Sequence, residues 1–179
     1  LSAAETFLCA APAHAEVFLV GASRGAALDL AARIGAKRGV TFGIHRLTLS
    51  RLAARLAAVD LAKRGLAPAS PLATLAIVTR AITDALACRK LEYFTPVANT
   101  PSFSRTLGVT LAELRVYGLR SHDIHGEDPR SRDIRTLLAL YEQHLERAGI
   151  ADHAEIQLSA ARVVPEAADV RRSLLVLVD

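Results

Sequence analysis

The chain contains no methionine and no tryptophan, and only 4% of its residues are aromatic. That leaves Tyr93, Phe94 and Phe103 as the only rings placed to stack on bases, and Phe103 falls on an apolar helix face. Long apolar runs are also lacking, so nothing reaches the roughly twenty residues of a helical membrane span. The two cysteines, Cys9 and Cys88, are far apart and follow no metal-ligand spacing. Such unpatterned cysteines suit a reducing, cytoplasmic setting. A leader peptide is not indicated either. Ala13-His14-Ala15 imitates a cleavage site, but the basic segment before it is missing and Glu5 interrupts a short apolar run. A first short helix is expected there instead. With leucine first, and Leu174 to Asp179 stopping in mid-strand, the chain reads as a piece of a longer polypeptide.

What is present is globular: 51% hydrophobic and 22% charged residues over 179 positions, enough for one core or for a core with an inserted lobe. The net charge is +4, with arginine commoner than lysine. Mild basicity permits nucleic-acid binding, and a biased codon composition accounts for it equally well.

The most informative stretch is Glu16 to Ile34. Val17 to Val20 have the residue types of a buried strand, and Gly21-Ala22-Ser23-Arg24-Gly25 follows as a small-residue turn. Ala27, Leu30, Ala31 and Ile34 then recur on one helical face. Strand, glycine turn and helix open a βαβ unit whose first helical N–H groups face the mouth of the turn. Three readings of the turn stand open. As a phosphate loop, Gly21 and Gly25 take the glycine positions, with Ala26 and Ala27 where lysine and Ser/Thr belong. As a nucleophile elbow, the five residues fit G-x-S-x-G with Ser23 as nucleophile. As plain packing, small residues let the helix approach the strand.

Further on, Gly39 stops this helix and Val40 to Ile44 reads as a second strand, joined to the first by a right-handed crossover. His45, Arg46, Leu47 and Thr48 then lie at its carboxyl end, where open α/β sheets place ligand contacts, and Thr48 caps a helix ending near Gly65. Ser70 and Pro71 start a helix with Leu75, Val78, Ile82 and Leu86 inward. Another begins at Ser102 with Phe103, Leu107, Leu111 and Leu114 inward, and a third at Asp133 with Ile134, Leu137, Leu138, Tyr141 and Leu145. A short helix covers Asp152 to Val163, and Ser173 to Asp179 returns as a strand. The class is therefore α/β. The expected parts are a first core segment, 1–64, a helical insertion, 65–165, and a truncated return strand, 166–179.

Four stretches give this order of parts a likeness. They are VFLVGASRGAALDLAARI, TFGIHRLTLSRLAARLA, YFTPVANTPSFSRTLGVTLAELR and LLVLVD. Together they resemble the first motor domain of superfamily 1 helicases, and more closely the B-subunit relatives in AddAB-type helicase–nucleases, which belong with the PD-(D/E)XK nuclease family proteins of double-strand-break repair. The resemblance implies a P-loop NTPase-like (RecA-like) parallel sheet interrupted by a helical insertion. It also implies a vestigial nucleotide site at Gly21, Ser23, Arg24, Gly25, Ala26 and Ala27, with the phosphate-binding lysine and the Mg²⁺-binding hydroxyl gone. Asp179 falls at the Walker B position. DNA contacts are implied at Thr41, His45, Arg46 and Thr48, of the hydroxyl and cationic types that suit phosphates. The partners implied are DNA, as single strands or duplex ends, and an ATP-hydrolysing helicase subunit, with no membrane. No catalytic residue and no bound cofactor are expected in this piece, and Mg²⁺ would serve a nuclease domain further along.

Two other classes remain in view. An α/β-hydrolase fragment would use Ser23 with Asp179 as acid. A metal site would gather His122, Asp123, His125 and Asp128, although these supply no obvious fourth strong ligand.

Overall fold

A computed structural model describes residues 2–12, 15–39 and 43–178. The chain divides into two compact units, one of residues 1–60 with 157–179 and the other of residues 61–156.

The first unit is built on a parallel sheet of β1 (Val17–Gly21), β2 (Ile44–Thr48) and β5 (Leu174–Val178), in the order β2-β1-β5. Central β1 is buried from end to end, as its unbroken apolar run requires. On one face, α1 (Ser2–Ala10) and α2 (Arg24–Arg38) bring Leu8, Ala27, Leu30 and Ile34 onto Val17, Leu19, Val176 and Val178. On the other, Leu52 of α3 (Leu49–Lys63) packs on Phe18 and Val20. Helices on both faces of a small parallel sheet make this an α/β fold. Gly39, at φ 79°, ends α2, and its N–H donates to the Gly35 carbonyl.

The second strand lies further along than the residue pattern suggested. Val40, Thr41 and Phe42 lie outside the described residues, and the strand runs from Ile44 to Thr48. Gly43 explains the shift: it holds φ 75°, and its carbonyl accepts from the Val17 N–H at 2.9 Å. That bond stands next to the first register pair, Val17 opposite Ile44.

The second unit packs α4 (Pro71–Ala87), α5 (Pro101–Val116) and α6 (Pro129–Ala148) around one core, with β3 (Ala67–Pro68) pairing parallel to β4 (Ile150–Ala151). Ser70 caps α4 as expected, its Oγ accepting from the Ala73 N–H. The buried stripe of α4 is Ile77, Val78, Ala81, Ile82 and Ala85, with Leu86 partly covered and Leu75 left nearer the surface. Helix α6 starts four residues earlier than expected, at Pro129, because Asp128 supplies the cap by accepting from the Ser131 N–H and hydroxyl. Asp133 then falls inside the helix, and it is buried. Its carboxylate accepts N–H groups from Glu92 and Phe94 at 2.9–3.1 Å and so ties down the 91–95 turn. The chain then enters α7 (His153–Val163), whose first turn is capped by Asp152, and a short α8 (Ala168–Arg171) precedes β5. No helix among the described residues is long and apolar enough to cross a membrane.

Candidate functional site

The strand order sets the first candidate. From β1 the chain moves to one side to make β2 and later returns on the other side as β5. In open α/β sheets, the crevice beyond the carboxyl ends of strands at such a reversal is where ligands bind. Gly21 ends β1 there, and the Ala22 N–H continues the pairing by donating to the Val178 carbonyl at 2.9 Å.

Only Ala22 and Ser23 separate β1 from α2, and Ser23 is the helix cap, its Oγ accepting from the Ala26 N–H at 3.1 Å. One of the donors that would face an anion is thus already taken. Gly21 is required by close approach. A Cβ there would sit 2.7 Å from the Ser23 carbonyl oxygen and 2.9 Å from the Ala27 nitrogen. Gly25 is under no such demand, since its nearest neighbour would be the Ser23 hydroxyl at an ordinary 3.7 Å. Three residues separate the two glycines, where the phosphate-loop pattern has four. Ala27 is buried against the strand, so the position read as the metal-binding hydroxyl is a packing position. Arg24 is exposed at the first turn of α2. The turn is short, apolar beneath and closed by its own cap.

The same geometry bears on Ser23 as a nucleophile. An elbow serine is held on a strained turn, whereas Ser23 has relaxed extended backbone, φ −130° and ψ 163°, and its hydroxyl serves the helix. Asp179, the acid in that reading and the Walker B residue in the other, lies outside the described residues.

The residues read as DNA contacts are distributed differently from the sequence expectation. His45, Arg46 and Thr48 lie within β2 rather than after it, and successive strand residues point to opposite faces. His45 stacks on Phe18, on the face covered by α3, with centroids 5.1 Å apart. Its Nε2 lies 4.0 Å from Glu16 Oε1. Arg46 pairs in register with Leu19, on the α2 face, and is exposed. The Thr48 hydroxyl accepts from the Arg51 N–H at 3.4 Å, capping α3. Thr41 lies outside the described residues. One surface therefore does not collect His45 and Arg46 together.

In the polar loop, the Asp123 carboxylate accepts from the Arg120 N–H. The Asp128 carboxyl is held below its ordinary range, first by the Ser131 hydroxyl and then by the Ser131 N–H. Among the described residues, no three His, Cys, Asp or Glu side chains gather as a metal site would need.

The second unit holds a charged centre that sequence reasoning missed. Arg115 is buried between two carboxylates. Its Nε and Nη2 donate to Asp152 at 2.6 and 3.2 Å, and its Nη1 donates to Glu142 at 3.1 Å. The Tyr141 hydroxyl donates to the same Asp152 at 3.4 Å. Burial opposes the Arg115 charge, but the hydrogen bond and charge of Asp152, with Glu142 beyond, outweigh it and raise the guanidinium pKa. Outside this core, Ser121 and Arg120 reach Glu142, and Arg64 and Arg120 reach Glu155. A cavity of about 600 Å³ opens onto the network. Three guanidiniums there meet three carboxylates, a balanced cross-brace rather than an anion trap. The signal was present in the spacing: Arg115 follows Leu107 and Leu111 at four-residue steps on the buried stripe.

The chain matches no model of a known protein family and no curated protein sequence.

Proposed function

We propose that this chain is the amino-terminal, helicase-like portion of an AddB-like PD-(D/E)XK helicase–nuclease subunit. In this reading it is an ATPase-dead scaffold that grips DNA during double-strand-break end processing and recombinational repair. The parallel sheet is read as a remnant of a RecA-like core, and the 61–156 unit as its helical insertion. The observation that carries the reading is the turn from Gly21 to Ala27. A glycine strand end and a helix start stand at the reversal point of the sheet, yet Ala27 is packed away and Ser23 closes the helix end. That is what remains when a phosphate cradle loses its lysine and its Mg²⁺ ligand and fills with small side chains. Weak anion contacts to the helix end are compatible with it; hydrolysis, which depends on charge stabilisation and metal positioning, is not. Exposed Arg46, on the edge strand β2, is the phosphate contact this reading retains. Mg²⁺, and an ATP-hydrolysing partner subunit, belong to the parts of the machine outside this chain.

The test pairs an ATPase assay with DNA titration. The purified chain is expected to turn over no ATP, and Ala26→Lys with Ala27→Thr is expected to restore none. Arg46→Ala is expected to weaken binding of a labelled single strand and to flatten its salt dependence. ATP turnover by the unaltered chain would overturn the dead-motor reading, as covalent capture of Ser23 by a fluorophosphonate would in favour of a hydrolase.

A further inference from the structure

The 61–156 unit carries a cationic trough away from the balanced cross-brace. Two adjoining clefts, of about 340 and 470 Å³, share Lys90, Arg135 and Thr136; Arg89 and Arg132 border the first and Gln143 the second. The acidic groups nearby are committed. Both Asp133 oxygens accept backbone N–H groups, and Glu92 pairs with Arg132 at 3.1 Å. Arg135 donates to the Ile124 carbonyl and lies 3.9 Å from Glu127, an almost fully exposed carboxylate. Among the described residues, neither Arg89 nor Lys90 has a carboxylate within ion-pair distance, and both are exposed. Arg89 and Lys90 thus stand side by side as two exposed cations without a carboxylate, next to Arg135 across the clefts.

A second observation is independent of charge. Helix α4 ends in a two-bond cap, the Arg89 N–H donating to the Leu86 carbonyl and the Lys90 N–H to the Ala85 carbonyl. The residue closing such a cap takes the left-handed conformation and is usually glycine. Here it is Arg89, at φ 51°, the only non-glycine with positive φ among the described residues. A side chain at that position strains the backbone, and glycine would relieve it. Helix-end electrostatics favours a cation in the last turn but does not require one at the strained position. Strain kept in place at the mouth of a cationic trough points to a role for the side chain.

We infer that the trough formed by Arg89, Lys90, Arg135 and Thr136 binds the phosphodiester backbone of a nucleic acid, through spaced phosphates rather than one converging site. The cations are spread over two clefts, which suits a chain of charges better than a single anion. Calling the nucleic acid DNA rests on the function proposed above; the trough itself rests on its own charges and strain.

The experiment uses the full chain and a labelled single-stranded DNA at two salt concentrations. Arg89→Gly with Lys90→Ala is expected to weaken binding about tenfold or more at low salt. The log–log salt slope should fall by about 1.4, or about 0.7 for each phosphate no longer neutralised. Because Arg89→Gly removes strain, its thermal midpoint should rise, so weakened binding cannot be ascribed to misfolding. Arg105→Ala, an exposed cation outside the trough, should change neither. Cys88 is exposed beside Arg89, so bound DNA should slow its alkylation. Unchanged affinity and slope in the double variant, with binding still present, would overturn the trough and leave the DNA reading standing. Loss in the trough variant with none in Arg46→Ala would support the trough and overturn Arg46 as the phosphate contact. No binding by the unaltered chain, or equal competition by anionic vesicles or an acidic peptide, would overturn the trough as a nucleic-acid site.

Discussion

Arg115 and Asp152, thirty-seven positions apart, meet as a two-point ion pair inside the helical unit, at 2.6 and 3.2 Å. A guanidinium fork matched to a carboxylate in this way joins α5 to the start of α7. Asp152 also accepts the Tyr141 hydroxyl and the Glu155 N–H, so its two oxygens serve four donors.

Removing one partner of a buried pair costs more than the pair contributes, because the other charge is left without compensation. Asp152→Asn is therefore expected to destabilise the protein by about 3 kcal/mol, the lower end of that range, since Glu142 still reaches Arg115 at 3.1 Å. Arg115→Met, which keeps much of the volume and takes the cation away, leaves buried Asp152 with only neutral donors and no counter-charge and should cost more, towards about 5 kcal/mol. Urea unfolding followed by circular dichroism measures both, and equal losses would count against a buried charge as the cause.

Tyr141 is pushed above the ordinary phenol value of 10.0, first by burial and then by the charge of Asp152. The folded state thus holds this proton more tightly than the unfolded one. The associated stability is complete below pH 10.0 and is lost as pH rises towards the raised folded value. Tyr141→Phe cannot lose it. The stability advantage of the unaltered chain over Tyr141→Phe is expected to shrink above about pH 10, by up to about 1.4 kcal/mol per pH unit. Paired urea titrations across that range test this, and a difference that stays constant would refute it.

The two glycines of the first turn should respond in opposite ways. Gly21→Ala sets a methyl against backbone atoms at 2.7 and 2.9 Å, which only a shift of α2 can relieve. A loss of about 1–3 kcal/mol is expected, as for other overpacked sites. Gly25→Ala meets open surroundings within a helix and should be neutral or stabilising by up to about 1 kcal/mol. Thermal melts of the two variants separate a turn shaped by packing from one whose second glycine is also needed.

Local chemistry was legible from residue types alone. The apolar run Val17 to Val20 became a wholly buried strand, Gly39 ended its helix at positive φ, and Ser70-Pro71 opened α4. Each depends on interactions within a few residues, where backbone sterics and capping dominate. The start of α6 was misplaced although Asp128-Pro129 carries the same cap-and-proline signal as Ser70-Pro71. What residue types could not show is that Asp133, inside the helix, accepts the N–H groups of Glu92 and Phe94, some forty positions away.

The amino-acid sequence by itself determined the class of this protein: a β-branched strand, a glycine turn and an amphipathic helix, followed by a long helical stretch and a returning strand. Tertiary structure alone decided which polar side chains share a place. It set His45 against Phe18 and joined Arg115 to Asp152. It also gathered Arg89 and Lys90, from the turn after α4, and Arg135, from α6, into one trough. The reason is range. Steric and capping preferences act between near neighbours, whereas charge pairing and burial depend on which distant segments the fold brings within a few ångströms.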